Sequence, residues 1–134
     1  MPNYLVDTHT FLWYAEGNAQ LSPSVKHIID NNKQENRLFL STVSLWEIAV
    51  KISIGKLQLP TAFDTFINKQ LKLITYEILP INTNHLTTNI SLPFHHRDPF
   101  DRLLISQAIT EHLIFLSRDT KMADYKAEQL SLVW

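Results

Sequence analysis

An alternation constrains this chain more than any other feature. Five short apolar runs are separated by segments that carry helix-start and helix-stop chemistry. Residues 3–7, 37–40, 75–79 and 113–116 read as strands, and residues 130–134 as a final strand or tail. Runs of four to eight apolar residues bounded by turn and helix signals suit buried strands. Helices inserted between successive strands imply parallel pairing, with the sheet covered on both faces.

The intervening helices are marked by their ends. Residues 10–15 are apolar and stop near Gly17-Asn18. Ser22-Pro23 opens a second helix, with Ser as N-cap and Pro at the first helical position; Val25, Ile28 and Ile29 give it one apolar face. Ser41 or Thr42 caps a third, running through Val43, Leu45, Trp46, Ile48, Ala49 and Ile52 to a stop near Gly55. Pro60-Thr61 is expected to start a fourth, with Phe63, Phe66, Ile67 and Leu71 on its buried stripe, and Thr83 or Asn84 a short fifth. Pro99 pre-sets a sixth, continued by Phe100, Leu103, Leu104 and Ile109, and residues 123–128 form a weak helical turn. No internal repeat, linker or low-complexity stretch interrupts the chain, which is expected to be one domain over residues 1–134.

Strand-end logic then places the acids. Asp7 ends the first strand, and Asp119 follows the run Ile114-Phe115-Leu116. Both fall at the carboxyl edge of a parallel sheet, where open α/β sheets bind ligands. Asp101 sits in the first turn of the helix begun at Pro99, and Glu47 in the second turn of the helix after strand two. Four carboxylates from four segments can meet at one edge. Such a cluster raises its own pKa values unless a cation neutralises it. Oxygen-only ligands suit Mg²⁺ or Mn²⁺ and not zinc.

Each acid also has a plainer role. Glu47 and Lys51 are an i, i+4 surface pair in the favourable order, worth about 0.2–0.5 kcal/mol. Asp98 is best read as the N-cap of the helix at Pro99, while Asp101 is equally well read as a first-turn acid suited to the helix dipole or as a ligand. Asp119 stands beside Arg118 in a loop. Asp7 is the hardest to explain away, because it directly follows Tyr4-Leu5-Val6.

Other chemistries lack their residues. The chain has no cysteine, so disulfides, Cys–zinc sites and Cys nucleophiles are excluded. Its two glycines stand in no phosphate-binding loop, and there is no G-x-S-x-G elbow or H-E-x-x-H motif. His95-His96 are adjacent and are not expected to form a metal set; His27 and His112 are expected at the surface, and His9 is a candidate for the cleft wall. Trp13, Trp46 and Trp134 are assigned to packing rather than base stacking. Net charge is -1, so any nucleic-acid binding must rest on a local groove, for which Lys51, Lys56, Arg97, Arg102 and Arg118 are candidates. No signal peptide or membrane-spanning run is visible, and a cytoplasmic location is expected.

Four stretches, in order, resemble the PIN-domain family. They are Leu5-Val6-Asp7-Thr8-His9; Ser44-Leu45-Trp46-Glu47-Ile48-Ala49-Val50-Lys51 with Gly55-Lys56-Leu57 and Leu59-Pro60; Asp98-Pro99-Phe100-Asp101-Arg102-Leu103-Leu104-Ile105-Ser106-Gln107-Ala108; and Leu116-Ser117-Arg118-Asp119. The similarity is strongest to the VapC-like toxins of bacterial type II toxin–antitoxin modules. It implies an α/β PIN fold: a three-layer α/β/α sandwich with a central parallel sheet of four to five strands. It also implies a Mg²⁺- or Mn²⁺-dependent endoribonuclease, whose catalytic and metal-binding acids fall on Asp7, Glu47, Asp101 and Asp119. The accompanying hydroxyls fall on Thr8 and Ser117. Asp98 and Arg102 belong to the third motif without a firm catalytic role. A homodimer, an RNA substrate and an antitoxin partner are further implications, with residues 61–92 shaping the dimer or antitoxin surface. The competing expectation is a non-catalytic PIN scaffold that acts as an adaptor. An aspartate phosphotransfer domain is disfavoured, because residue 9 is His where a D-x-D motif requires an acid.

Overall fold

The structure is a computed structural model and describes residues 2–134. Its elements follow the alternation: β1 (Tyr4–Val6), α1 (Thr8–Glu16), α2 (Pro23–Asn31), β2 (Leu38–Ser41), α3 (Thr42–Ser53), α4 (Phe63–Leu73), β3 (Tyr76–Leu79), α5 (Thr83–Ser91), α6 (Pro99–Thr110), β4 (Ile114–Leu116), a 3₁₀ helix (Thr120–Glu128) and β5 (Ser131–Val133). All strand pairs are parallel, in the order β3-β2-β1-β4-β5. This is a PIN-like three-layer α/β/α fold.

The period-2 alternation of each strand divides the core between the two faces. Val6, Leu38, Leu40 and Leu116 join one apolar cluster with Phe11 and Leu12 of α1, Val25 and Ile29 of α2, and Phe66 and Ile67 of α4. Leu5, Phe39 and Phe115 turn the other way, onto Leu104, Ile105 and Ala108 of α6 and onto Met122 and Tyr125 of the 3₁₀ helix.

The caps account for most boundaries. Ser22 accepts a hydrogen bond from the Val25 N–H at the start of α2, and Ser41 accepts from Val43 at the start of α3. Asp98 caps α6, accepting from the Phe100 and Asp101 N–H groups. Gly17 closes α1 at φ 65°, a left-handed conformation that suits glycine. Three starts differ from expectation: α1 begins at Thr8 and the 3₁₀ helix at Thr120, each two or three residues early because Asp7 and Asp119 act as their N-caps, and α4 begins late. The fourth helix begins at Phe63, not at Pro60-Thr61, with Ala62 at the N-cap and no side-chain cap. Leu57 and Leu59 pack against the core just upstream, which ties that segment down before the helix begins.

Strand order fixes the place of a site. From β1 the chain steps outward through β2 to β3, then crosses back to lay β4 on the opposite side of β1. β1 and β4 therefore flank a topological switch point, whose crevice opens at their carboxyl ends. A helix that feeds a parallel strand runs antiparallel to it, so the start of α6 lies at that same edge.

Candidate active site

The first acid is a product of local geometry. β1 ends at Val6, and Asp7 serves as the N-cap of α1. Its Oδ1 accepts the Thr8 N–H at 2.7 Å, and its Oδ2 accepts the Ser117 hydroxyl at 2.8 Å. Burial pushes this carboxyl upward; the Ser117 hydrogen bond, the nearby His9 and the Thr8 N–H oppose that, and the charge of Glu47 adds to it.

Asp119 arrives from the neighbouring strand. It caps the 3₁₀ helix, accepting the Lys121 N–H through Oδ1 at 2.9 Å, while its own N–H donates to Ser117 Oγ at 3.2 Å. Burial would raise its carboxyl. Hydrogen bonds from His96 and from the Lys121 N–H, with the charges of both residues, hold it below the usual range.

Asp101 is also displaced upward. Burial, followed by the charges of Asp7, Asp98, Glu47 and Asp119, pushes its carboxyl up to about 8. Three acids from other segments and the cap of its own helix therefore act on one group. Asp7, Asp101 and Asp119 line one cleft of about 410 Å³, with His9, Trp13, Arg118 and Thr120 completing its wall.

Glu47 is placed differently. It is buried, and its Oε1 accepts the Thr8 hydroxyl at 2.7 Å while its Oε2 pairs with Lys51 Nζ at 2.7 Å. Thr8 Oγ1 also lies 2.9 Å from Ser44 Oγ. Glu47 is thus close enough to repel Asp7 and Asp101, yet both its oxygens are engaged behind the cleft wall. The Glu47–Lys51 pair is real but is not a surface pair, since Glu47 is buried and Lys51 half-buried.

Three expectations need correction. Arg102 is not a groove cation. It is buried, with one guanidinium nitrogen donating to Pro93 O at 2.8 Å and the other to Leu92 O at 3.1 Å, and its face lies 3.9 Å from the Phe94 ring centroid. Trp46 is not a packing residue. It is 57% exposed, and its ring meets Phe100 in a T-shaped contact, with centroids 4.9 Å apart. His96 does belong with the acids. Its Nε2 lies 2.9 Å from Asp119 Oδ2 and 3.1 Å from Asp101 Oδ2.

The remaining basic candidates separate. Arg118 lines the acidic cleft. Lys51 and Lys56 line an adjoining pocket of about 330 Å³ that shares His9 and Trp13 with it. Arg97 lines a third pocket, with Trp46 and Phe94. His27 and His112 are exposed, as expected.

The donor set suits a divalent cation. His96, Asp101 and Asp119 each offer one ligand-type atom, all within 4.8 Å of one another. Burial first, and the charges of the neighbouring acids second, displace Asp101 upward, and a divalent cation held by this set would oppose both effects.

A parallel α/β/α sheet that gathers buried acids at the carboxyl edge of its switch point defines the class of protein. The particular family follows: residues 4–128 match the PIN domain, and the chain belongs to that family. Solved structures share its fold. VapBC2 from Rickettsia felis, solved bound to a DNA fragment from its promoter, matches with a TM-score of 0.70 at 15% identity, over 97% of this chain and 96% of that one. DNA-bound VapBC from Salmonella typhimurium matches with a TM-score of 0.70 at 14% identity, over 99% and 98%. FitAcB from Neisseria gonorrhoeae matches with a TM-score of 0.68 at 16% identity, over 98% and 96%. No curated protein sequence matches the chain. Among the described residues, no helix is long and apolar enough to cross a membrane.

Proposed function

We propose that this chain, as one PIN domain over residues 1–134, is a Mg²⁺- or Mn²⁺-dependent endoribonuclease and the toxin of a VapBC-type toxin–antitoxin pair in the cytoplasm. One observation carries the proposal: Asp7, Asp101 and Asp119, from three separate segments, line a single cleft in which Asp101 is held near pKa 8.

Asp7, Asp101 and Asp119 would hold the metal, with Glu47 supporting from behind. A bound divalent ion supplies Lewis acidity toward a phosphodiester and lowers the pKa of coordinated water. The chain's own residues do the arranging. Ser117 and the Thr8 N–H fix both oxygens of Asp7. Thr8 and Lys51 fix those of Glu47. Arg118, whose guanidinium donates to Gln20 at 2.8 Å and lies 5.6 Å from the Trp13 ring, sets a cation at the cleft wall where a phosphate backbone would approach. Asp98 works as the α6 cap and Arg102 as the anchor of the loop before it.

Toxin identity is supported by shared fold with the toxin–antitoxin complexes. A second copy and an antitoxin would need apolar surface. Leu73, Ile78, Ile81, Leu86 and Ile90 are exposed, all within residues 61–92, and Trp46 and Phe94 add to them.

The test is incubation of purified protein with total RNA in Mg²⁺ or Mn²⁺ and in EDTA. Cleavage that requires the ion is expected. Binding of RNA without turnover under any metal condition would favour an adaptor instead.

A further inference from the structure

The imidazole of His96 is held between two kinds of partner. Its Nε2 faces the carboxylates of Asp119 and Asp101, at 2.9 and 3.1 Å. Its Nδ1 accepts the backbone N–H of Asp98 at 3.2 Å. A ring nitrogen that accepts an amide N–H carries no proton, so the ring's one hydrogen sits on Nε2. Nε2 then donates to Asp119, with Asp101 3.1 Å away, and has no free lone pair.

A metal-ligating histidine shows the opposite arrangement. Its second nitrogen donates to a carbonyl or carboxylate, which leaves the first free to bind the ion. The Asp98 amide blocks that arrangement at His96.

The loop fixes the ring. The His96 N–H donates to the Tyr125 hydroxyl at 2.8 Å, and that hydroxyl donates to Pro93 O at 2.7 Å. Arg102 donates to Pro93 O and Leu92 O on the same loop. His96 is buried, at 8% exposure. A short loop that would otherwise wander is tied at several atoms, and its imidazole N–H points at the gap between α6 and the 3₁₀ helix.

We propose that His96 is a positioning residue for the metal-binding acids: its Nε2–H clasps Asp119 beside Asp101, whose Oδ2 lies 3.1 Å from the same nitrogen, and it does not itself ligate the ion. The proposal rests on the metal-site reading of the cleft. Asp101 and Asp119 come from different elements, and a donor that binds Asp119 while lying 3.1 Å from Asp101 Oδ2 sets the two at ligand spacing before an ion arrives. His96 thereby pre-organises oxygen ligands without adding a nitrogen, which leaves the site selective for hard ions.

The experiment is calorimetric titration of Mg²⁺ and Mn²⁺ into wild type, His96→Ala, His96→Gln and Asp101→Asn, with ring ¹⁵N spectra of His96 before and after Mg²⁺. Gln carries an N–H of similar reach. Expected are a loss of about 10–100-fold in affinity for both ions in His96→Ala, recovery of most of it in His96→Gln, and an Nε2 that stays protonated when Mg²⁺ binds. Should His96→Ala bind like wild type while Asp101→Asn loses the ion, the clasp is wrong and the metal site stands. Nε2 deprotonated on ion binding, with Gln failing to restore affinity, makes His96 a ligand and overturns the proposal. A wild type that binds neither ion overturns both the clasp and the metal site. If His96→Ala does not fold, the ring spectra and His96→Gln decide.

Discussion

The hydroxyl of Ser117 donates to Asp7 Oδ2 across 2.8 Å, joining residues 110 positions apart at the ends of adjacent strands. Ser117 Oγ in turn accepts the Asp119 N–H at 3.2 Å. One serine thus ties two cleft acids to a common point. Ser117→Ala leaves both groups without that partner in a buried setting. We expect metal affinity to fall by about tenfold or more and the fold to lose about 1–3 kcal/mol, read by titration calorimetry and thermal melts.

Asp101 gives a pH signature in the metal-free protein. Its folded carboxyl sits near 8, well above its unfolded value. Between those two values the folded chain binds more protons than the unfolded one, so stability falls as pH rises from about 4 to about 8. Asp101→Asn removes that slope. In EDTA, the variant is expected to melt above wild type at pH 8 and to converge with it near pH 4. Each kcal/mol recovered is worth about 3–5 °C in a chain of this size.

Thr8 donates a hydrogen bond to one oxygen of the buried Glu47, and Lys51 pairs its charge with the other. Lys51→Met strips the ion pair from a buried carboxylate whose partner is half-exposed. A loss of about 1–3 kcal/mol is expected, less than for a fully buried pair. Thr8→Val should act in the same direction, and the double variant should be less than additive. Melts of the four proteins in a double-mutant cycle measure it.

Ile90 is 83% exposed and sits one helical turn from the exposed Leu86 on α5. Ile90→Asp removes no core contact, so monomer secondary structure should be unchanged. If the chain pairs with a second copy through this face, as we propose, light scattering of Ile90→Asp is expected to show a lower mass than wild type, and an unchanged mass would contradict that use of the face.

Strand ends were the most legible part of the site. Asp7 and Asp119 follow from two apolar runs and the parallel rule alone. Asp101 needs one more step, that the helix before β4 runs antiparallel to it. Glu47 was harder, since helical phase told little about whether it would face the cleft or Thr8. Arg102 and His96 exchanged the places expected of them. An arginine's reach lets it turn inward or outward, and sequence spacing does not record which. His96 lies in an irregular loop, where no periodicity assigns a direction; the nearest signal was its position two residues before the Asp98 cap. Trp46 falls on α3, whose Val43 and Ile48 pack into different clusters. Its apolar run therefore reads as buried all round, although one side is open.

Asp7→Asn compared with wild type on the same RNA, with and without Mn²⁺, tests the central claim most directly. The substitution keeps the shape of the side chain and removes its charge, so the fold should persist and the melting temperature should hold or rise. The expected result is metal-dependent cleavage by wild type and none by Asp7→Asn. Metal-dependent cleavage retained by Asp7→Asn would contradict the account.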